Sequence, residues 1–370
     1  MGKHSGWQGR LVTDSKVRPL LGTGLVVALL LPLVGLVLLL QEDVARWSWQ
    51  NPQLHFLLFL TVGGTAPARG VCARRPGTGR RQLLSEASMS DREPQEMAQA
   101  AVETGAKKTH RSWDRVLVSA FLAGAYISFG GLVAITVSSG LDPATWGTLP
   151  TLFLGAAFTL GLVLVVIAGS DLATGNMMLV PLSAMRGKIS VADVVRNLTL
   201  VLIGNLIGAL FVAYFLAVQT GVIGHTGASG AAALTHERLA AIAEGKAVGE
   251  SHWQVFLRAV GCNWLVCLAV WMSLAARTVS GKILAIFFPI MAFVAMGFDH
   301  VVANMFFLPA AIFVGVPHLG WGDVLLNWLF AGVGNLVGAV VFVATSYWYL
   351  FLRERPDVPV PGGAESPERA

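Results

Sequence analysis

The chain has 370 residues, of which 55% are hydrophobic and 13% are charged. The apolar residues form blocks of about 20, separated by short polar stretches, which is typical of a protein that crosses a membrane several times. A soluble domain of this length would instead alternate apolar and polar residues at helical or strand period. The formal charge of +5 comes from Lys and Arg in the N-terminal region, short loops and the C-terminus. It indicates membrane topology and not nucleic-acid binding.

Residues 1–88 form an N-terminal extension with one or two hydrophobic segments. Residues 20–40 are long enough to span a membrane, and a shorter apolar piece, 54–66, is followed by an arginine-rich stretch. Three interpretations stay open: a hairpin of two short spans, a signal peptide without a clear cleavage site after residue 40, and a non-native extension before a true start at Met89. We favour the start at Met89 or a dispensable extension.

A transmembrane channel domain is predicted at 113–350, between a cytoplasmic segment at 89–112 and a cytoplasmic tail at 351–370. Its apolar blocks predict six spans, at 113–137, 148–186, 190–218, 251–275, 282–315 and 323–350. The second and fifth are too long for one straight helix, so we expect both to be broken. Basic residues lie before the first span, after the second, between the fourth and fifth, and after the sixth. This distribution predicts a multi-pass protein of the inner membrane with both ends of the domain cytoplasmic.

An internal repeat relates the two broken spans. The stretch "SDLATGNMMLVPL" at 170–182 aligns with "FDHVVANMFFLPA" at 298–310, and "NLTLVLIGNLIGA" from 197 aligns with "NWLFAGVGNLVGA" from 327. Each half contains three spans, an odd number, so the second half must be inverted relative to the first. The sequence therefore predicts an all-α membrane protein of two inverted three-helix repeats, an architecture of channels and secondary transporters. The GxxxG pairs in the second match indicate close helix packing.

The breaks themselves carry polar residues. Hydrocarbon cannot satisfy the exposed backbone of a broken helix, so a break must face protein or a water-filled path. The helices that restart after each break would point their positive N-termini at a shared site, which attracts anions. We expect Asp171 and Asp299 to cap the restarting helices, and Asn176 and Asn304 to tie the two loops together.

His300 is the only histidine inside the predicted spans, apart from His252 near a span end. A core histidine satisfied by a neighbour is the simplest interpretation, but its place at the second break favours a functional role. A histidine there can donate a hydrogen bond to an anion and can exchange a proton near neutral pH.

Three stretches resemble the formate/nitrite transporter family: "VIAGSDLATG" at 166–175, "AVGCNWLVCLA" at 259–269 and "GFDHVVANMFFLP" at 297–309. The resemblance covers roughly 90–355. It implies a homopentamer of aquaporin-like protomers in membrane lipid, each with its own pore for small monovalent anions such as formate, nitrite or related weak-acid anions. It implies no enzymatic activity, no cofactor and no metal.

The resemblance also implies roles for particular residues. His300 is similar to the pore histidine of the family, Thr174 to its partner in the first loop, and Asn263 to the polar residue beside it on the fourth span. Spacing from these positions puts Phe158 and Phe293 at a periplasmic constriction.

The cytoplasmic constriction falls on Leu162 and Leu172. The family usually has Phe or Ile where this chain has Ala173, which should loosen that constriction. Lys246 and Arg258 are competing candidates for the cation of the family's vestibule.

Two transport mechanisms and two other classes of protein stay open. The anion either takes a proton and crosses as the neutral acid, or crosses ionised and held by polar groups. A neutral-solute channel of the aquaporin type would carry Asn-Pro-Ala at both breaks, which here read "TGN" and "VAN". A membrane subunit of a redox enzyme would need haem or metal ligands, and histidines near span ends do not favour a bis-histidine haem.

Overall fold

The computed structural model describes residues 91–353, and this part of the chain is helical, without strands. Its α-helices, in chain order, are α1 (Pro94–Thr109), α2 (Trp113–Ser138), α3 (Pro143–Trp146), α4 (Leu149–Ala168), α5 (Ala173–Met185), α6 (Val191–Phe211), α7 (Ala231–Glu244), α8 (His252–Ala275), α9 (Val279–Ala295), α10 (Val301–Phe313) and α11 (Trp321–Ala339). Short π-helical segments continue α6, α7 and α11: Val212–Val218 follows α6, Gly245–Gly249 follows α7, and Val340–Thr345 and Trp348–Leu352 follow α11. The extension at 1–88 and residues 354–370 of the tail lie outside the described residues.

Within residues 91–353, five helices are long and apolar enough to cross a membrane, by length and composition. They are Trp113–Ser138, Leu149–Ala168, Val191–Val218, His252–Ala275 and Trp321–Leu352. The fifth predicted span instead consists of two shorter apolar helices, α9 and α10. The described chain is thus an all-α, multi-pass membrane protein, while the six-span inverted arrangement stays a prediction.

Both predicted helix breaks are confirmed, and both begin in the same way. A left-handed glycine follows the helix before each break, Gly169 with φ 79° after α4 and Gly297 with φ 72° soon after α9. A residue with a Cβ atom would be strained in this conformation, whereas glycine adopts it readily and ends a helix. The two glycines stand at equivalent positions of the sequence repeat, so local backbone chemistry explains why the helix stops twice.

Close helix packing follows the two GxxxG pairs, as predicted. A Cβ atom built on Gly208 of α6 would lie 2.0 Å from the carbonyl oxygen of Phe121 in α2. One built on Gly338 of α11 would lie 2.3 Å from the carbonyl oxygen of Val260 in α8. In each half, the absent side chain lets the third helix touch the first backbone to backbone.

Helix α1 lies in the segment 89–112, for which the sequence predicted only a cytoplasmic location. It packs on the half-helix α5, because a Cβ atom on Gly105 would come within 2.1 Å of the carbonyl oxygen of Leu179. Ser183 Oγ of α5 also donates a hydrogen bond to the Val102 carbonyl oxygen at 2.6 Å. Helix α1 therefore forms part of the packed domain and carries its last residues to the first break.

Candidate functional site

A buried asparagine of α6 satisfies the backbone at the first break. Asn205 Oδ1 accepts a hydrogen bond from the Ala173 N–H at 2.8 Å. Its Nδ2 donates to the carbonyl oxygens of Ala120 at 2.7 Å and Asp171 at 3.0 Å. These groups would otherwise be unpaired in a medium without water, which costs several kcal/mol for each group.

Asn335 of α11 makes the same three hydrogen bonds at the second break. Its Oδ1 accepts from the Val301 N–H, and its Nδ2 donates to the carbonyl oxygens of Ala259 and Asp299, all at 2.8 Å. The two asparagines occupy equivalent places in the GNLxGA stretches of the repeat. The sequence repeat is therefore also a repeat of hydrogen bonds, and an equivalent asparagine pairs the backbone groups at each break.

The expectation that Asp171 caps a half-helix is wrong. The residue at the cap of α5 is Leu172, which offers no side-chain acceptor. The Asp171 carboxylate instead forms ion pairs with Lys108 and Arg111 and accepts a hydrogen bond from Ser119 Oγ at 2.7 Å. A buried carboxylate needs charged or hydrogen-bonding partners more than a helix end with free N–H groups needs a cap.

The same correction applies to Asp299. The cap of α10 is His300, whose Nδ1 accepts a hydrogen bond from the Ala303 N–H at 3.0 Å. Asp299 Oδ1 accepts hydrogen bonds from Lys246 Nζ at 3.0 Å and from Asn304 Nδ2 at 2.9 Å. Each aspartate of the repeat is thus the counter-ion of a lysine.

Asn176 and Asn304 connect each half-helix to the span that follows it, and not to the other loop. Asn176 Nδ2 donates to Asn197 Oδ1 at 3.0 Å, and Asn304 Nδ2 donates to Asn327 Oδ1 at 2.8 Å. Both pairs are buried. The expectation that they tie the two loops together is wrong. Each asparagine instead holds its own half-helix to the following span by a hydrogen bond.

Lys108 is a site residue that the sequence interpretation missed, since the basic residues before the first span were used only to predict the membrane orientation. Its carbonyl oxygen accepts a hydrogen bond from Asn197 Nδ2 at 3.4 Å, and the Lys246 carbonyl oxygen accepts one from Asn327 Nδ2 at 3.0 Å. Lys108 and Lys246 therefore occupy equivalent places in the two halves. The repeat of the aspartate was the available signal, because a buried carboxylate in each half requires a cation in each half.

Thr174 and His300 meet where the two breaks face each other. Thr174 Oγ1 lies 2.8 Å from His300 Nε2, and the two residues are 0% and 2% exposed. Because the Ala303 N–H already donates to Nδ1, Nδ1 carries no proton and the neutral ring carries its proton on Nε2. His300 Nε2 then donates to the Thr174 hydroxyl, which keeps its own proton for another acceptor.

Asn263 of α8 lies next to this pair, as the resemblance implied. Its Nδ2 donates to the carbonyl oxygens of Thr174 at 3.2 Å and Asn335 at 2.8 Å. It is fully buried. The structure thus brings the three predicted polar residues together, and Asn263 holds the Thr174 backbone against α11.

The two phenylalanines predicted at one constriction are in contact. The ring centroids of Phe158 and Phe293 are 6.0 Å apart in an edge-to-face arrangement, and Phe293 lies 6.0 Å from the His300 ring. Leu162, Leu172 and Ala173 are also buried. Phe158, Phe293 and His300 line a cavity of about 230 Å³. Leu162, Leu172 and Ala173 do not line it.

This cavity, called the vestibule cavity below, also has a charged wall. Both candidate cations, Lys246 and Arg258, contribute to it, together with Arg238 of α7 and Glu250. The sequence interpretation missed Arg238 and Glu250. Arg258 pairs with Glu250, while Arg238 Nε donates to Ser138 Oγ at 3.0 Å.

Glu250 lies just before α8, outside the membrane-spanning segments, and is an unusual acid. Burial raises its pKa to about 7, and the neighbouring Asp299 carboxylate adds to the increase, against the lowering influence of Lys246 and Arg258. Removing a carboxyl from water disfavours its charged form, and a second negative charge nearby disfavours it further. Glu250 therefore changes charge near neutral pH.

Comparison with known proteins gives a consistent result. The family model described as "Formate/nitrite transporter" matches residues 95–349. The chain is 48% identical over 263 residues to "Uncharacterized transporter YrhG" of Bacillus subtilis (strain 168), covering 71% of this chain and 95% of that protein. It is 46% identical over 274 residues to "Probable formate transporter" of Methanothermobacter thermautotrophicus, covering 72% and 99%.

A solved structure agrees with these sequence relatives. The structure titled "Pentameric formate channel with formate bound" superposes with a TM-score of 0.55 at 29% sequence identity, covering 65% of this chain and 98% of that one. The family model spans more than half of the chain, over the same residues that form both breaks and the polar centre. The chain belongs to the formate/nitrite transporter family.

Proposed function

We propose that this protein conducts small monovalent anions, formate, nitrite or a related weak-acid anion, through a pore that passes between the two helix breaks. The observation that carries the proposal is the buried contact between Thr174 and His300, which joins the two breaks through a hydroxyl and an imidazole group. The cationic vestibule cavity beside it supports an anionic substrate. The names of the relatives, a probable formate transporter and a pentameric formate channel, support the same substrate class.

The hydrogen bonds of His300 favour one of the two transport mechanisms. Since Nδ1 accepts the Ala303 N–H, protonation of the ring at Nδ1 would break the bond that caps α10. We infer that His300 acts as a neutral hydrogen-bond donor through Nε2 to the Thr174 hydroxyl. The hydroxyl then donates its own hydrogen bond to the anion. A proton that accompanies the anion then comes from water or from the vestibule.

The two constrictions are proposed on different grounds. Contact of Phe158 with Phe293 at the vestibule cavity supports an aromatic constriction on the periplasmic side. For the cytoplasmic side, we propose that Leu162 and Leu172 form the constriction and that Ala173 leaves it wide. Introducing Ala173→Phe should then reduce the flux of the larger anions first, and an equal reduction for anions of all sizes would contradict this.

The assembly and membrane orientation are part of the proposal. We propose a homopentamer, since a family structure is titled as pentameric, placed in the inner membrane with both ends of the 113–350 domain cytoplasmic, as the distribution of basic residues predicts. Mass measurement of the detergent-solubilised complex and reporter fusions at both ends test the two statements. A monomer, or a periplasmic reporter signal at either end, would contradict them.

The test of the function is uptake of radiolabelled formate into liposomes. Replacing His300 by Phe removes the Nε2 donor and should reduce uptake at least tenfold, whereas His300→Asn restores a polar side chain and should retain more uptake. The matched control is His252→Asn, since His252 stacks on Phe330 at the start of α8 and does not line the vestibule cavity. Unchanged uptake in folded His300→Phe would refute the role of this histidine.

A further inference from the structure

Two buried carboxylate oxygens have no hydrogen-bond donor among the described residues: Glu250 Oε2, whose residue lines the vestibule cavity, and Asp299 Oδ2, whose neighbours Phe298 and His300 line it. The other oxygen of Glu250 is paired with Arg258. The other oxygen of Asp299 accepts hydrogen bonds from Lys246 and Asn304. A buried acceptor without a donor is unfavourable, and more so if it is charged. Two such oxygens therefore need an explanation.

A single proton between the two groups supplies it. Asp299 pairs with Lys246 at 3.0 Å, Glu250 pairs with Arg258, and Glu250, Lys246 and Arg258 line one cavity. The Asp299 carboxylate also contributes to the raised pKa of Glu250. Two ionised carboxylates repel each other, whereas a carboxyl that donates its proton to a carboxylate satisfies both oxygens at once. We propose that Glu250 and Asp299 share one proton, and that loss of this proton lowers the anion occupancy of the vestibule cavity.

The charges around the pair give the direction of the effect. Lys246 faces it from the π-helical segment Gly245–Gly249, and Arg258 faces it from α8. Arg238 of α7 and the neutral His300 line the same cavity. With one shared proton, the three cations and a single negative charge leave a net charge of +2, and without it the net charge is +1.

The size of the effect follows from Coulomb's law. One elementary charge at about 8 Å changes the occupancy of a monovalent anion roughly threefold to thirtyfold, for effective dielectric constants between those of water and a protein surface. The pKa of Glu250, raised to about 7, places the change near neutral pH. Below that pH the proton is present and anion occupancy is high; above it the proton is lost and occupancy falls.

The transport part of this inference rests on the proposed function, so the test has two measurements. The first is an infrared titration of the purified, full-length protein without formate, which follows the C=O stretch of protonated carboxyl groups. We expect a band that is lost as the pH rises through about 7. It should be missing in Glu250→Gln and retained in Glu244→Gln, a matched change of an exposed glutamate at the end of α7.

The second measurement is formate uptake by liposomes at low formate concentration, expressed as the ratio of Glu250→Gln to wild type at each pH. The ratio cancels the titration of formate itself, because both proteins see the same solution. Glutamine keeps a donor toward Asp299 and mimics the protonated glutamate. The ratio should be near 1 at about pH 6 and rise threefold to thirtyfold by about pH 8. The Glu244→Gln ratio should stay constant.

The outcomes separate the two proposals. Wild-type protein without a carboxyl band that titrates near neutral pH overturns the shared proton, whether or not the variants fold. A titrating band together with a pH-independent uptake ratio overturns the control of anion occupancy. Wild-type liposomes that take up no formate at any pH overturn the proposed function and the occupancy claim with it, while the infrared titration still decides the shared proton.

Discussion

The replacement Asn335→Ala tests whether the repeated asparagine holds the second break. It removes three hydrogen bonds of a fully buried side chain, those with Val301, Ala259 and Asp299. Buried hydrogen bonds contribute about 0.6–1.5 kcal/mol each in folded and membrane proteins, so the loss comes to about 2–4.5 kcal/mol. The Val301 N–H is left unpaired at the start of α10, which places the expected value toward the upper end.

Equilibrium unfolding of the purified protein in mixed micelles, followed by tryptophan fluorescence, would measure this loss of free energy. Asn205→Ala removes the equivalent three bonds at the first break, so its destabilisation should agree with that of Asn335→Ala within about 1 kcal/mol. Gln219→Ala removes an exposed amide and should change the free energy by less than about 0.5 kcal/mol.

The two variants differ in what else they disturb. Residue 300 directly precedes Val301, so Asn335→Ala should also reduce formate uptake more than Asn205→Ala does at equal folded fraction. A destabilisation below about 1 kcal/mol for both asparagines would refute the reasoning, because it would mean that the breaks find other partners for their backbone groups.

Three further predictions concern packing, charge and the pore. Gly338→Ala should lower the unfolding free energy by about 2–3 kcal/mol, since its Cβ would lie 2.3 Å from a backbone oxygen. The control is Gly332→Ala on the same helix, whose Cβ would meet its nearest atom at 3.8 Å and which should be nearly neutral in the same unfolding assay. Lys108→Met should lower the unfolding free energy by about 2–4 kcal/mol, because it removes one of the cations paired with the buried Asp171 carboxylate. Adding Asp171→Asn to this variant should recover part of the loss in a double-mutant cycle, and simple additivity of the two changes would disprove their coupling. Thr174→Val keeps shape but removes the hydroxyl partner of the pore histidine, so formate uptake should fall about tenfold while the unfolding free energy changes by only about 1–2 kcal/mol; unchanged uptake would count against the pore assignment.

Features that depend on local sequence were predictable. Apolar block length located the spans, and the internal match located both breaks, since a helix stops at a left-handed glycine wherever the neighbouring chain lies. The position of His300 within the second break followed from the same alignment. These features need no knowledge of distant contacts.

The partners of the buried charges could not be predicted in this way. Asp171 pairs with Lys108, 63 residues before it, and Thr174 contacts His300, 126 residues after it. The sequence showed that two aspartates repeat, but local helix chemistry suggested caps, and the capping assignment was wrong. Only the packing of α1 on α5 brings Lys108 to the first break.

The sequence by itself determined the membrane class, the place of each break and the family motifs, because hydropathy, glycine conformation and repeat spacing act over a few residues. The tertiary structure alone decided which charges compensate each other. It paired Asp299 with Lys246 and Glu250 with Arg258. Electrostatic energies depend on distance and burial, and both arise only when separate helices pack.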